Sequence, residues 1–174
     1  MKLVRWTRFT WDLTKLDDVI MEPDLPYRIR GAAKEEKGAV RDVITGAFSL
    51  DMDWNDVMAS LRERFEEAVD EAFSHKEIRC LVLTNGSRFI GASALDSDVG
   101  AENHLLSGPC VLNEYRNRGF GSVLLYHSLV KLRDAGVTQA HGVTRQHGPA
   151  AKFLYPKFHS VSGPYNSEPQ LVGS

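Results

Sequence analysis

The most constraining feature of this chain is one short turn, Arg116-Asn117-Arg118-Gly119-Phe120-Gly121-Ser122. It lies between a short apolar run and a stretch with helical apolar spacing, where a strand hands over to a helix. Two glycines at alternate positions clear side chains from the turn and let backbone N–H groups approach a ligand. A helix that starts here aims its unpaired N–H groups and its positive dipole end at the same point. That combination suits a diphosphate. A dinucleotide-binding unit is disfavoured, because the third glycine is missing and no early strand–helix–strand unit with a distal acid precedes the turn.

The elements around the turn follow from periodicity. Residues 3–11 are rich in aromatic and β-branched types and predict a strand, followed after Asp24-Leu25-Pro26 by an alternating strand at Tyr27–Arg30. Val40, Val43, Ile44, Ala47 and Phe48 share one helix face. Trp54, Val57, Met58, Leu61, Phe65, Ala68 and Phe73 form the stripe of a second helix, with Asp51 or Asp53 as its N-cap. Ile78–Thr84 and Arg88–Leu95 read as strands joined by an Asn85-Gly86 hairpin turn. A strand at His104–Leu112 is interrupted by Gly108-Pro109, which predicts a bulge or splay. After the glycine turn come a helix to about Asp134, a strand at Gln139–Arg145, a short helix entered through Pro149, and a strand near Val161. The order predicts an α/β (α+β type) fold. Its sheet would be mixed but mostly antiparallel, with one parallel, splayed strand pair and helices on both faces.

Composition narrows the function classes. At 174 residues the chain is read as one domain, 1–174, with 1–26 as an N-terminal extension that adds an extra strand at the edge or a subunit contact. A net charge of −2 and the absence of a Lys/Arg run argue against nucleic acid as a partner. No apolar stretch approaches the roughly 18 residues of a membrane span. Cys80 and Cys110, the two cysteines, both fall in apolar runs and read as reduced, buried thiols of a cytoplasmic protein. No metal site is expected, and the oligomeric reading is monomer or homodimer.

Val111-Leu112-Asn113-Glu114-Tyr115-Arg116-Asn117-Arg118-Gly119-Phe120-Gly121 resembles the acyl-CoA-binding motif of the GNAT superfamily, the general N-acetyltransferases. The motif, Arg/Gln-x-x-Gly-x-Gly/Ala, follows a bulged strand there. The likeness extends in family order over about residues 27–165. It implies an acyl-CoA-dependent N-acetyltransferase that carries an acetyl group from acetyl-CoA, its cosubstrate, to the amine of a small molecule or peptide. Backbone N–H groups of Asn117, Arg118, Gly119, Phe120, Gly121 and Ser122 would wrap the pyrophosphate of coenzyme A, with Arg116 or Arg118 adding side-chain contacts. Pro109, Cys110 and Val111 would pair through their backbone with the pantetheine arm, as an added strand does at a sheet edge.

An alkyl amine with a pKa of about 10.4 costs roughly 4–5 kcal/mol to deprotonate at neutral pH, so a proton acceptor is expected. His104 and Glu102 are the candidates at the start of the bulged strand, and His104 is favoured because it is largely neutral there. Tyr155 is the implied hydrogen-bond or proton donor to the leaving thiolate. The chain departs from the family around it: Pro156 follows Tyr155, His159-Ser160 stands where the family has Gly-Phe, and His147-Gly148 replaces an asparagine. Proline disfavours helical geometry in the residue before it, which puts the aim of the Tyr155 hydroxyl in doubt. These departures motivate two alternatives: a coenzyme-binding sensor or assembly module without turnover, and a transferase for longer acyl chains.

Overall fold

The computed structural model describes residues 5–49 and 58–165. Its elements are β1 (Trp6–Asp12), β2 (Tyr27–Gly31), α1 (Lys37–Ser49), α2 (Met58–Phe73), β3 (Cys80–Asn85), β4 (Arg88–Ala94), β5 (Cys110–Val111), α3 (Phe120–Asp134), β6 (Gln139–Arg145) and β7 (Val161–Tyr165). A π-helical turn spans Ala150–Leu154.

Two antiparallel sheets carry these strands, in the orders β2-β3-β4-β5 and β6-β1-β7. The first is built on the expected hairpin. Asn85 pairs with Arg88, so the loop is Gly86-Ser87, one residue later than the dipeptide signal, with Gly86 at φ 60°. The run Cys80–Thr84 is buried throughout because helices cover both faces of the sheet. On one face Val40, Val43, Ile44 and Ala47 of α1 and Phe65 and Val69 of α2 pack on Cys80, Val82, Ala92 and Ala94. On the other side of the molecule, α3 buries Leu125, Leu129 and Leu132 against Phe9, Trp11 and Leu13. Gly136, at φ 100°, ends α3: the Val137 N–H reaches back to the Leu132 carbonyl at 3.0 Å. The proposed cap residues Asp51 and Asp53, with Trp54 and Val57, lie outside the described residues.

The N-terminal strand is not at an edge. β1 pairs along its full length with β6 and through Trp6–Thr10 with β7, so it is the centre of the second sheet. Alternation explains this: Phe9 and Trp11 point into the core while both backbone edges find partners.

Residues 103–105 join the two sheets. Leu95 bridges to Leu105, and the N–H groups of His104 and Leu105 both point to the carbonyl of His141 on β6, at 2.7 and 3.3 Å. Beyond that point, past Gly108 at φ 67°, β5 pairs with β4. The splay predicted from Gly108-Pro109 is therefore a gap between two sheets, and it holds the candidate site.

Candidate functional site

The glycine turn stands at the outer end of β5. Asn117 and Gly119 both adopt left-handed backbone, at φ 64° and 81°, and Gly119 is the N-cap of α3. The first helical bond runs from the Val123 N–H to the Gly119 carbonyl, at 3.2 Å. The N–H groups of residues 119–122 therefore have no intrahelical acceptor. Consecutive free N–H groups curled around a left-handed residue form an anion-binding nest, strengthened by the dipole of α3.

The two arginines of the turn do different things. Arg116, though exposed, reaches two main-chain carbonyls: its Nε donates to that of Val111 at 3.3 Å and its Nη2 to that of Ala47 near the end of α1. Arg118 stays exposed over the Tyr115 ring, 5.3 Å from its centroid, with long 3.4 Å contacts to Tyr27 and the Glu114 carbonyl.

At the inner end of β5 a cavity of about 70 Å³ opens between the sheets. Gly108 and Pro109 form one wall, Val143 and Thr144 of β6 the other, and Phe48 and Phe65 reach it from α1 and α2. Tyr155 closes the inner side, 3% exposed, its ring edge-on to Phe9 and Trp11 at 5.5 and 5.6 Å. Two glycines make its seat. A Cβ on Gly108 would overlap the Tyr155 hydroxyl, and one on Gly142 would come within 3.1 Å of the ring. Among the described residues the hydroxyl has no hydrogen-bond partner, and burial pushes its pKa above the ordinary phenol value.

The sequence model of the Acetyltransferase (GNAT) family matches residues 41–159. The chain belongs to the GNAT acetyltransferase family. Solved structures with the same fold include GCN5-related N-acetyltransferases from Sphaerobacter thermophilus (TM-score 0.63, 16% identity, 94% of this chain and 50% of that one) and Kribbella flavida (TM-score 0.58, 13% identity, 93% and 56%). A GNAT-family acetyltransferase from Colwellia psychrerythraea matches similarly (TM-score 0.61, 16% identity, 93% and 54%). The chain thus spans about half the length of these structures. No curated protein sequence is significantly similar to it.

Within this GNAT chain, the residues expected to handle protons are only partly brought together. Tyr155 is in the cavity despite Pro156. It keeps helical backbone at φ −67° and ψ −23°, with its N–H bonded to the Ala150 carbonyl at 2.8 Å. The aromatic seat and the Trp11 Nε1–H donating to the Lys157 carbonyl at 2.9 Å hold the segment against the proline's preference. His104, expected as the base, does not line the cavity. It is fully buried, and both ring nitrogens are engaged, with the backbone of His141 and of Asp98, which leaves it no nitrogen for a substrate proton. Glu102 is exposed, with its carboxylate bonded to the Tyr165 hydroxyl at 3.0 Å. Among the described residues that line the cavity, none is a carboxylate or a histidine.

The seat of Tyr155 was missed from sequence, although Gly142 in mid-strand and the Phe9/Trp11 pair were its visible traces. Cys80 and Cys110 are both buried and unpaired, and burial pushes each thiol up to about 12. Among the described residues no three His, Cys, Asp or Glu side chains are grouped to hold a metal. No described helix is long and apolar enough to cross a membrane.

Proposed function

We propose that this protein transfers the acetyl group of acetyl-CoA directly to a primary amine of a small-molecule or peptide acceptor within a ternary complex. The observation that carries the reading is the layout of β5: an anion nest at residues 117–122 on one end and the Tyr155 cavity at the other. The residues fit an extended thioester substrate. Free N–H groups would take the pyrophosphate, Pro109–Val111 would lie along the pantetheine arm, and the cavity would receive the acyl group. The two reduced, buried thiols fit a cytoplasmic setting.

In the transfer the amine nitrogen bonds to the thioester carbonyl carbon, the C–S bond breaks, and the nitrogen's surplus proton ends on the departing thiolate. Tyr155 contributes a hydrogen bond to that sulfur. Because burial raises its pKa, giving up the proton to a thiolate near 8.5 is uphill, so the neutral phenol acts as donor and keeps its proton.

In this reading the reacting amine arrives already neutral. Turnover per unit substrate, kcat/KM, should then rise about tenfold per pH unit until the acceptor's own pKa, about 10.4 for an alkyl amine. A plateau near pH 6.5 would instead reveal a histidine base.

The decisive experiment is thiol release from acetyl-CoA with a panel of amines, alongside calorimetry. Tyr155→Phe should keep coenzyme affinity and lose about 10- to 100-fold in kcat. Failure of coenzyme A to bind at millimolar concentration would overturn the reading. Tight binding without turnover on any amine would favour a sensor module.

A further inference from the structure

One imidazole lies beside both walls of the cavity. His104 has no exposed surface; its Nδ1 lies 2.9 Å from the His141 N–H and its Nε2 3.0 Å from the Asp98 carbonyl. A backbone N–H only donates and a carbonyl only accepts, so Nδ1 is bare and the proton sits on Nε2. His104 and Leu105 also give their own N–H groups to the His141 carbonyl. His141 extends the connection inward: its ring stacks on His104 at 5.6 Å and its Nδ1 lies 2.8 Å from Thr10 Oγ1 on β1. The cavity lies beside this cluster, with Asn103 and Leu105 to Pro109 on one wall and Val143 and Thr144 on the other, and the Val143 N–H donates to Asn103 Oδ1 across it at 3.2 Å.

We infer that the neutral ring of His104 is a positioning residue that staples the two sheets beside the cavity, and that its protonation releases them. The inference rests on the reading of that cavity as the acyl-transfer slot. Protonation would put a second N–H on Nδ1, facing the N–H of His141, so an attraction between the sheets becomes a donor–donor repulsion.

The charged surroundings are mixed. Asp96 and Asp98 favour the protonated ring of His104; His141, stacked against it, carries Arg8 and Glu102 as its own neighbours. Burial is the largest influence on both histidines and holds each below the ordinary value. With a depressed folded pKa, the contribution of the neutral ring is complete above about pH 6.5 and is lost as pH falls through the lower, folded value.

Two variants separate the staple from generic packing. His104→Asn offers a carbonyl oxygen in place of Nδ1 and does not titrate; His104→Leu removes the acceptor. Coenzyme A affinity by calorimetry, with kcat and KM alongside, should weaken about tenfold or more in the wild type as pH falls from 8 to 5. His104→Asn should stay within about twofold over the same range, and His104→Leu should be weak throughout. Protection of the His141 amide in hydrogen exchange, measured without coenzyme, should follow the same pattern. Acid loss in His104→Asn matching the wild type, or full His141 protection in His104→Leu, overturns the staple. If coenzyme A binds none of the proteins while His141 protection follows the expected pattern, the staple stands and the transferase reading falls.

Discussion

The two ends of β5 are built in opposite ways. The turn at its outer end is one continuous segment, and what it would offer a ligand is main-chain N–H groups whose direction follows from φ at Asn117 and Gly119. The cavity at its inner end is closed by Tyr155, whose seat is assembled from distant parts: Phe9 and Trp11 from β1, Gly108 ahead of β5, and Gly142 from β6, with Tyr155 itself after the π-helical turn. A backbone site of the first kind tolerates drift of side chains around it. A site of the second kind depends on several long-range packings at once, so it should be the more fragile to small steric changes.

The largest expected effect tests that fragility. Gly108→Ala imposes left-handed backbone on a residue with a Cβ and drives that Cβ into the Tyr155 hydroxyl. The two costs together come to about 2–5 kcal/mol of stability. They can be separated by a double-mutant cycle, because Tyr155→Phe removes the overlapped oxygen and should return about 1 kcal/mol or more in the Gly108→Ala background. Additive losses in denaturant unfolding would mean that the hydroxyl is not seated against Gly108.

The same contrast explains what could be read from the sequence. The glycine turn was legible as a turn because its signal is local: glycine at a strand-to-helix junction permits the left-handed backbone that Gly119 adopts. The hairpin at Gly86 and the apolar faces of α1 and α3 were legible for the same reason. β1 reads as a strand from Phe9 and Trp11, but its central place depends on β6 and β7, whose partner residues lie more than a hundred positions away. No local pattern encodes that. His104 shows the limit for chemistry. Its residue type and its position beside the bulge suited a base, and only its burial under the junction of the two sheets, with both nitrogens engaged, removes it from that role. Tyr155 shows the converse, since the local penalty from Pro156 is outweighed by an aromatic seat that no neighbouring residue supplies.

A middle-sized effect should appear at the nest and leave stability nearly untouched. An added Cβ at Gly121 meets only the Leu154 side chain, at 3.7 Å, an ordinary contact, so Gly121→Val should fold. Its branched side chain narrows the space at the start of α3 where the phosphates would lie. Coenzyme A affinity should fall about 100-fold, a loss of roughly 2.7 kcal/mol, with unfolding free energy changed by less than about 1 kcal/mol. Undiminished affinity in this variant would remove the nest from the binding site.

The smallest effects divide the two arginines of the turn. Arg118 is exposed and its contacts are long, so Arg118→Ala should cost at most about 1 kcal/mol of coenzyme affinity, and the deficit should shrink as salt is added. Arg116 instead ties the turn to the Val111 and Ala47 carbonyls, which links the nest to α1 and so to the wall that carries Phe48. Arg116→Ala should therefore cost about 1–3 kcal/mol of stability through carbonyls left without a charged donor, and its effect should persist in high salt. Lysine discriminates further, because a single ammonium cannot span the two carbonyls that the guanidinium reaches through separate nitrogens. Arg118→Lys should behave as wild type and Arg116→Lys as the alanine variant. If both lysine variants match wild type in stability and affinity, Arg116 contributes charge alone and the two ends of β5 are not braced through it.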